Sequence, residues 1–456
     1  MVSEPRDMPN RPVEIGRAID EKSWGGYQTW VVALVSLAVV MDGLDNRLLP
    51  LAIPVLIKEW GVTRDAFALA TSLGLLGMVL GTMVGGLLGD KWGRRPTIIG
   101  SVLLFGVATL ANAFVNHVAS MTAMRLVAGL GLGALMPAAA AMFAEFSPTR
   151  RRALVVTLGM VCVPLGGTLS GVLGAAVLPT WGWRSLFVVG GLAAILIGLI
   201  QLFALPESPR YLLRGSATRD QLMALLRRMG HRLDDDVQIT GDAAGTAGGA
   251  KASVLQLFSK EYVRDTLGLC FAFFAIFICL YMESQWMPTI LSEAGYSLQV
   301  ASIASGSLAF GGMFASILGV AAVARFGSRV GLMGMAAAGV LVTLALTQYP
   351  TDPSRSAAPL LILLTITGFL VGGLQIMIYS VATHVYPTSL RATGIGTAVG
   401  FGRVGSVISP FIATAALGAG GWGTFFVSLA VGLSITFAAL GVISRHTPPP
   451  RRRAAQ

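Results

Sequence analysis

The chain has 456 residues, 54% of them hydrophobic and only 12% charged, with a mean hydropathy of +0.72, against roughly 25% charged residues in a soluble protein. A water-soluble globule is excluded, and so are disordered, collagen-like and disulfide-built chains: the 56 glycines keep no period, and Cys162, Cys270 and Cys279 all lie in apolar runs. The formal net charge of +11 would suit nucleic acid, but the basic residues lie in a pattern that a membrane sets.

A chain this apolar is counted in spans of about 20 residues, and roughly twelve fit. The N-terminal tail, 1–26, is polar and charged, without the apolar core and small-residue cleavage site of a signal peptide. Stretches of spanning length then run Thr29–Ile57, Ala66–Gly89, Thr97–Phe114, Ala119–Ala144, Ala153–Leu178 and Ser185–Leu205. The second set runs Leu267–Ile290, Ala301–Ala324, Val330–Thr347, Ala358–Val385, Thr393–Leu417 and Thr424–Ser444. The expected organisation is an N-terminal six-helix half over 27–205, a hydrophilic linker over 206–266, a C-terminal six-helix half over 267–444 and a tail over 445–456. Within the linker, Asp220–Met229 reads as a short amphipathic helix and Asp234–Ala250 as a flexible Asp/Gly/Ala stretch. Of the 33 Lys and Arg residues, 26 fall in one alternate set of hydrophilic stretches, which includes the linker and both tails, and only Lys58, Arg64, Arg184 and Arg355 fall in the other. The positive-inside rule puts the first set, with both termini, in the cytoplasm. The basic excess therefore records topology, and no nucleic acid is expected as a partner.

The halves repeat each other. Pro148-Thr149 and Arg152-Ala153 recur as Pro387-Thr388 and Arg391-Ala392, Gly182-Trp183 with Phe187 recurs as Gly421-Trp422 with Phe426, and Gly129 and Gly133 map onto Gly368 and Gly372, all displaced by 239 positions. Lys91-Trp92-Gly93 with Arg95 faces Arg325-Phe326-Gly327 with Arg329 at a displacement of 234. One six-helix unit duplicated in parallel is the arrangement of two-half transporters with a midplane site.

The strongest local signal is Gly86-Leu87-Leu88-Gly89-Asp90-Lys91-Trp92-Gly93-Arg94-Arg95, between spans two and three. Its small residues allow a tight turn, Asp90 accepts charge-assisted hydrogen bonds, and Arg94 and Arg95 are fixed cationic donors, so the loop can lock one helix against another and release it. Glu145 and Arg152, near the cytoplasmic ends of spans four and five, join this candidate gate. The bland alternative is an ordinary positive-inside loop. The loop resembles the signature of the major facilitator superfamily, which implies an all-α membrane protein with twelve transmembrane helices in two six-helix halves and a cytoplasmic gate here. In the second half Ala324 stands at the position of Asp90, which weakens charge locking there.

Ionisable residues inside the spans are costly, about 2.5–3.5 kcal/mol each at the membrane centre, and are functional candidates by default. Asp42 and Asp45 are three apart on one helical face, where neighbouring carboxylates can hold a proton near neutral pH; Arg47 can instead neutralise one of them as a structural pair. Arg125 can bind a substrate carboxylate bidentately or serve as partner to Asp42 or Asp45. Arg403, in Gly402-Arg403-Val404-Gly405, is the cation better placed to face the centre from the second half. Glu283 is a second proton site, an arginine's partner, or a hydrated residue near the extracellular end. Tyr281 and Gln285 in span seven, with Gln375 and Tyr379 in span ten, offer ring faces and neutral donors and acceptors to a substrate. Trp286 reads as an interface anchor rather than a substrate contact, and His384 as a solvated or capping residue.

Asp42-Gly43-Leu44-Asp45, Trp286-Met287-Pro288-Thr289 and the run from Gly368-Phe369 through Gln375 and Tyr386-Pro387-Thr388 to Gly402-Arg403-x-Gly405 are similar to motifs of the aromatic acid:proton symporters. That resemblance, over about Gly25 to Arg445, implies proton-driven uptake of hydroxybenzoate-like carboxylic acids across a bacterial inner membrane. It implies no enzymatic activity and no metal or organic cofactor, the proton being the coupling ion, and a monomer is expected. Glu283 departs from the family's neutral residue there. Three alternatives remain open: import of another organic anion, import of a sugar-like metabolite, which shares the Pro206-Glu207-Ser208-Pro209-Arg210 helix end, and proton-antiporting efflux, of which Pro164-Leu165-Gly166-Gly167 is only a partial imitation.

Overall fold

The computed structural model describes residues 13–20, 24–214, 219–230, 239–240 and 254–446, with no side-chain placement for a few of these, Ala324 among them. The spanning helices are α1 Gly26–Trp60, α2 Arg64–Trp92, α3 Arg94–Asn112, α4 Val118–Glu145, α7 Val263–Glu293, α8 Leu298–Phe326, α9 Ser328–Thr347 and α10 Ala358–Val385. Two further helical stretches are too long to be single spans. Thr149–Ala204 has 56 residues and would be about 84 Å long at 1.5 Å per residue, against a hydrocarbon core of about 30 Å. Gly182, with φ 74, breaks it, so it is α5 (149–181) and α6 (183–204). Likewise Gly420 and Gly421 split Thr388–Val442 into α11 (388–419) and α12 (422–442). In this way the ten helices among the described residues that are long and apolar enough to span make twelve crossings, and Gly26 and Val442 lie on one face, called the terminal face here.

Each half packs in the same way. In the first, α1 crosses α5 where Gly43 lies against the backbone of Val163 and Gly166 against Val40, so any Cβ at either glycine would overlap main chain. In the same half α2 packs on α4, and α3 on α6. The second half repeats this with α7 on α11, α8 on α10 and α9 on α12. The duplication is visible at single contacts: Gly129 of α4 sits on Gly74 of α2, and Gly368 of α10 sits on Leu308 of α8, the same pair at displacements of 239 and 234. Close approach suits a membrane, where lipid leaves no hydrophobic drive between helices and small residues let backbones pack.

The halves meet mainly away from the terminal face. Arg64, opening α2, pairs with Glu293, closing α7, at 2.8 Å. Ser72 of α2 donates to the Val407 carbonyl of α11 at 2.7 Å, and Gly171 of α5 lies on Gly306 of α8.

At the terminal face the linker begins with a short helix, Pro209–Arg214, and continues as Arg219–Arg228, one residue off the amphipathic helix expected over Asp220–Met229. Leu222, Leu225, Leu226 and Met229 bury its apolar side in a cluster with Ile15 and Ile19 of the N-terminal helix Ile15–Asp20, a helix that the polar tail did not announce. Val13–Glu14 pairs in parallel with Ile239–Thr240. The remainder of the expected flexible stretch Asp234–Ala250 lies outside the described residues.

Candidate functional site

A cavity of about 170 Å³ lies between the halves, walled by α1 and α5 on one side and by α7, α8 and α10 on the other. It is about the size of an engineered 150 Å³ cavity that takes a benzene ring. Gly43, Gly167, Gly312, Gly368 and Gly372 line it; at Gly43 and Gly368 the missing Cβ serves the close helix contacts, since it would strike the backbone of Val163 and Leu308. Its polar side chains include Asn46, Arg47, Tyr281, Glu283, Ser284 and Gln375.

Arg47 is the cation of this cavity. Its Nη1 donates to the Ser284 carbonyl at 3.5 Å and to Ser305 at 3.4 Å (carbonyl) and 3.3 Å (Oγ), so α1 is tied to α7 and α8 across the half boundary. The expected alternative, in which Arg47 neutralises Asp42 or Asp45, is corrected: two residues on from Asp45 is about 200° around the helix, the opposite face.

Asp45 has other partners. It accepts from Thr109 of α3 and from Arg125 Nη1 of α4 at 3.3 Å, with Asp45 3% and Arg125 6% exposed. Phe187 of α6 covers the guanidinium, whose carbon is 5.1 Å from the ring centre. Arg125 was a candidate for the substrate carboxylate or for an aspartate; the structure gives it to the aspartate, and it borders a small side cavity of about 30 Å³. Asp42 and Asp45 stay one turn apart on the same face, as the three-residue spacing expects, but Asp45 is held by Arg125 and Asp42 has no ion pair within 4 Å among the described residues. Asp42, beside the cavity-lining Gly43, is 2% exposed, and its Oδ1 has no hydrogen-bond partner among the described residues.

The other predicted substrate contacts separate. Tyr281 and Gln375 line the cavity. Gln285 instead donates to Asn46 Oδ1 at 3.0 Å, joining the halves, and borders the small side cavity. Tyr379 turns onto Phe273, ring centres 4.9 Å apart. Arg403 donates to the Tyr281 hydroxyl at 3.0 Å and lies over Phe277 at 5.2 Å, so it reaches the cavity through Tyr281, which it orients. Glu283 lines the cavity at 2% exposure, which removes the hydrated alternative. Trp286 is fully buried in an apolar cluster drawn from both halves and is no interface anchor. His384 is exposed, as expected.

The loop between α2 and α3 is built from both ends of the half. Gly93, at φ 110, makes the turn and leaves the first N–H groups of α3 without helical partners. Glu207, from the end of α6, supplies the acceptor: its Oε1 takes the N–H of Arg94 at 2.9 Å, Arg95 at 3.2 Å and Ser208 at 2.8 Å. A carboxylate at a helix N-terminus also opposes the helix dipole favourably. Arg94 pairs with Asp90 at 2.8 Å and with Glu145 at 3.5 Å and donates to the Gly89 carbonyl, while Ser208 bonds Glu145. Three gate expectations change. Arg95 leaves the acid cluster for the Leu202 carbonyl at 2.7 Å, Arg152 caps α4 through the Ala144 carbonyl at 3.1 Å, and a Cβ on Gly86 would meet nothing within 4 Å, so no close packing requires that glycine. Glu207 and Ser208 were legible only as a helix end; their role needs the fold that returns α6 to α3.

Comparison with known proteins agrees with this architecture. The family profile described as Major Facilitator Superfamily matches residues 35–350 and 295–456. The chain is 31% identical to the gallate transporter of Pseudomonas putida, covering 94% of this chain and 92% of that one. It is 32% identical to the 4-hydroxybenzoate transporter PcaK of Acinetobacter baylyi, covering 88% and 87%. A crystal structure of a D-xylose-proton symporter superposes with a TM-score of 0.69 at 17% identity, over 93% of this chain and 99% of that one, a likeness of fold. Twelve crossings in two repeated halves, a cavity between them and a profile match along nearly the whole chain have one meaning: this is a multi-pass membrane protein that belongs to the Major Facilitator Superfamily.

Proposed function

We propose that the protein is a proton-coupled importer of aromatic carboxylic acids, working by alternating access in a bacterial inner membrane with both termini in the cytoplasm. The observation that carries this reading is the ring-sized cavity between the halves with Arg47 on its wall and Tyr281 and Gln375 beside it. The similarity to gallate and 4-hydroxybenzoate transporters supports the substrate class, and the excess of basic residues on one set of loops supports the orientation.

In this reading the substrate carboxylate binds the Arg47 guanidinium, whose planar fork suits two carboxylate oxygens. Asp42 carries the coupled proton, because a buried carboxyl without a partner is neutral at far lower cost than charged. Asp45 with Arg125 and Thr109 is the fixed electrostatic support beside it. Loading both proton and anion neutralises Asp42 and pairs the Arg47 charge, which lowers the barrier to rocking the halves 27–205 and 267–444 about the cavity. The contacts joining the halves, Arg64 with Glu293 and Ser72 with Val407, then close the extracellular side. Asp90, Arg94 and Glu145 form the switch on the cytoplasmic side, and the linker, 206–266, tethers the halves.

Uptake of radiolabelled benzoates and phenylpropanoids by cells expressing the protein, with and without a protonophore, tests the proposal. Accumulation abolished by the protonophore is expected. Accumulation that survives it removes the proton coupling, and uptake of no aromatic acid removes the substrate class.

A further inference from the structure

The cavity carries one more charged group than an aromatic monocarboxylate uses. Arg47 enters from α1 and Glu283 from α7. Arg47 can take the carboxylate, and its recorded bonds to the protein all run through Nη1. Glu283 faces the Arg47 charge across the cavity but makes no direct bond to it. It is 2% exposed, its Oε1 has no hydrogen-bond partner, and no ion pair within 4 Å joins it to Arg47 among the described residues. An unpaired buried carboxyl oxygen is costly and calls for a donor. Asp42 shares this isolation but does not border the cavity; Glu283 does, so its donor can be a ligand.

The charges on the wall also limit that donor. A monocarboxylate on Arg47 cancels one charge and leaves the carboxyl of Glu283 to be protonated or stranded. A substrate that adds an amino group satisfies both walls, its carboxylate on the guanidinium and its N–H on Glu283, and a carboxylate accepts such bonds more strongly than a neutral acceptor. A hydroxyl offers one O–H; an amine offers two or three N–H and, when protonated, the opposite charge.

We propose that Glu283 is the specificity-determining residue of this cavity and that the preferred substrate is an aromatic acid that also bears an amino group. The inference rests on the proposed transport of aromatic acids and narrows it. Substrates with a group that can accept but not donate, such as a methoxyl opposite the carboxylate, are rejected, because Glu283 then faces a second acceptor.

The test is uptake kinetics for benzoate, 4-hydroxybenzoate, 4-methoxybenzoate, 4-aminobenzoate and 4-(aminomethyl)benzoate in cells expressing the wild-type protein, Glu283→Gln or Glu283→Met. The readout is the ratio of kcat/KM for an amino acid of the panel to that for benzoate, which cancels differences in expression or folding. In the wild type one of the two amino compounds should exceed benzoate by about tenfold or more, and 4-methoxybenzoate should fall below it. In Glu283→Met the advantage should drop to within about threefold, with Glu283→Gln between. If the substitutions lower uptake of every acid alike and leave the ratio unchanged, Glu283 is a proton site and the inference is overturned. Equal handling of benzoate, its hydroxyl analogue and its amino analogues by the wild type overturns it as well, while aromatic acid transport itself stands. Uptake of none of the five sinks the transport reading and this inference together.

Discussion

Replacing Arg125 by methionine probes the buried pair that organises the first half. Asp45 and Arg125 are 3% and 6% exposed, and their charged atoms are 3.3 Å apart. At an effective dielectric of about 20, two unit charges at that distance attract by about 5 kcal/mol. Measured costs of removing one partner from a buried pair, about 3–5 kcal/mol, are of the same size, because the survivor is left charged and unpaired. Arg125→Met should therefore cost about 3–5 kcal/mol, with the Thr109 hydroxyl the remaining side-chain donor to Asp45 among the described residues. Asp45→Asn keeps an acceptor for Thr109 but strands the guanidinium against Phe187. The double variant removes both charges and should be more stable than Arg125→Met alone. The assay is heat unfolding of the purified protein in detergent for the four members of the cycle, which isolates the interaction of two residues in contact. A double variant that falls by the full sum of the two single losses would refute the argument, since the two side chains would then be acting independently.

Three further expectations follow from the site. Arg47→Gln should raise KM for a benzoate about tenfold or more, as loss of a charge-assisted hydrogen bond of about 1.5–3 kcal/mol requires; uptake kinetics with an unaltered KM would assign the carboxylate to another group. Glu207→Ala leaves the Arg94 and Arg95 N–H groups without their acceptor and should lower stability by about 1–2 kcal/mol, the scale of a lost helix cap, while Glu207→Gln, which retains an oxygen there, should recover much of it in the same heat-unfolding assay. Arg64 and Glu293 are 25% and 41% exposed, so their pair contributes at most about 1 kcal/mol. Arg64→Ala should accordingly raise labelling of Ser316→Cys, on the cavity wall, from the face opposite the termini by no more than about fivefold in a background free of Cys162, Cys270 and Cys279; unchanged labelling would mean that the pair does not help to close that side.

Much of the fold is written locally. Runs of apolar residues of spanning length leave the chain no alternative to helices in lipid, because every backbone N–H and C=O must be satisfied within the segment. This made the twelve crossings legible even where α5 continues into α6 across the short break 179–184, since Gly182 and Gly421 mark the same corner in each half. The repeat at displacements of 239 and 234 survives as the same glycine contact on α2 and α8. Membrane burial of Asp42, Asp45, Glu283 and the arginines was equally plain, because such residues stand out against 54% hydrophobic composition.

What those charged groups do was decided only by the tertiary structure. The sequence identified Asp42, Asp45 and Arg47 on α1 and Arg125 on α4 but not their pairing: Asp45 meets Arg125 across 80 residues, and Arg47 meets Ser284 and Ser305 across more than 230. A soluble helix advertises its inner face by polarity, whereas a helix between lipid and protein is apolar on both sides, so composition cannot say which way Tyr379, Trp286 or Glu283 points. Rotation of each helix is settled by where glycines let backbones touch, as at Gly43 on Val163, and that contact turns Arg47 toward the cavity while Asp45 turns into its own half.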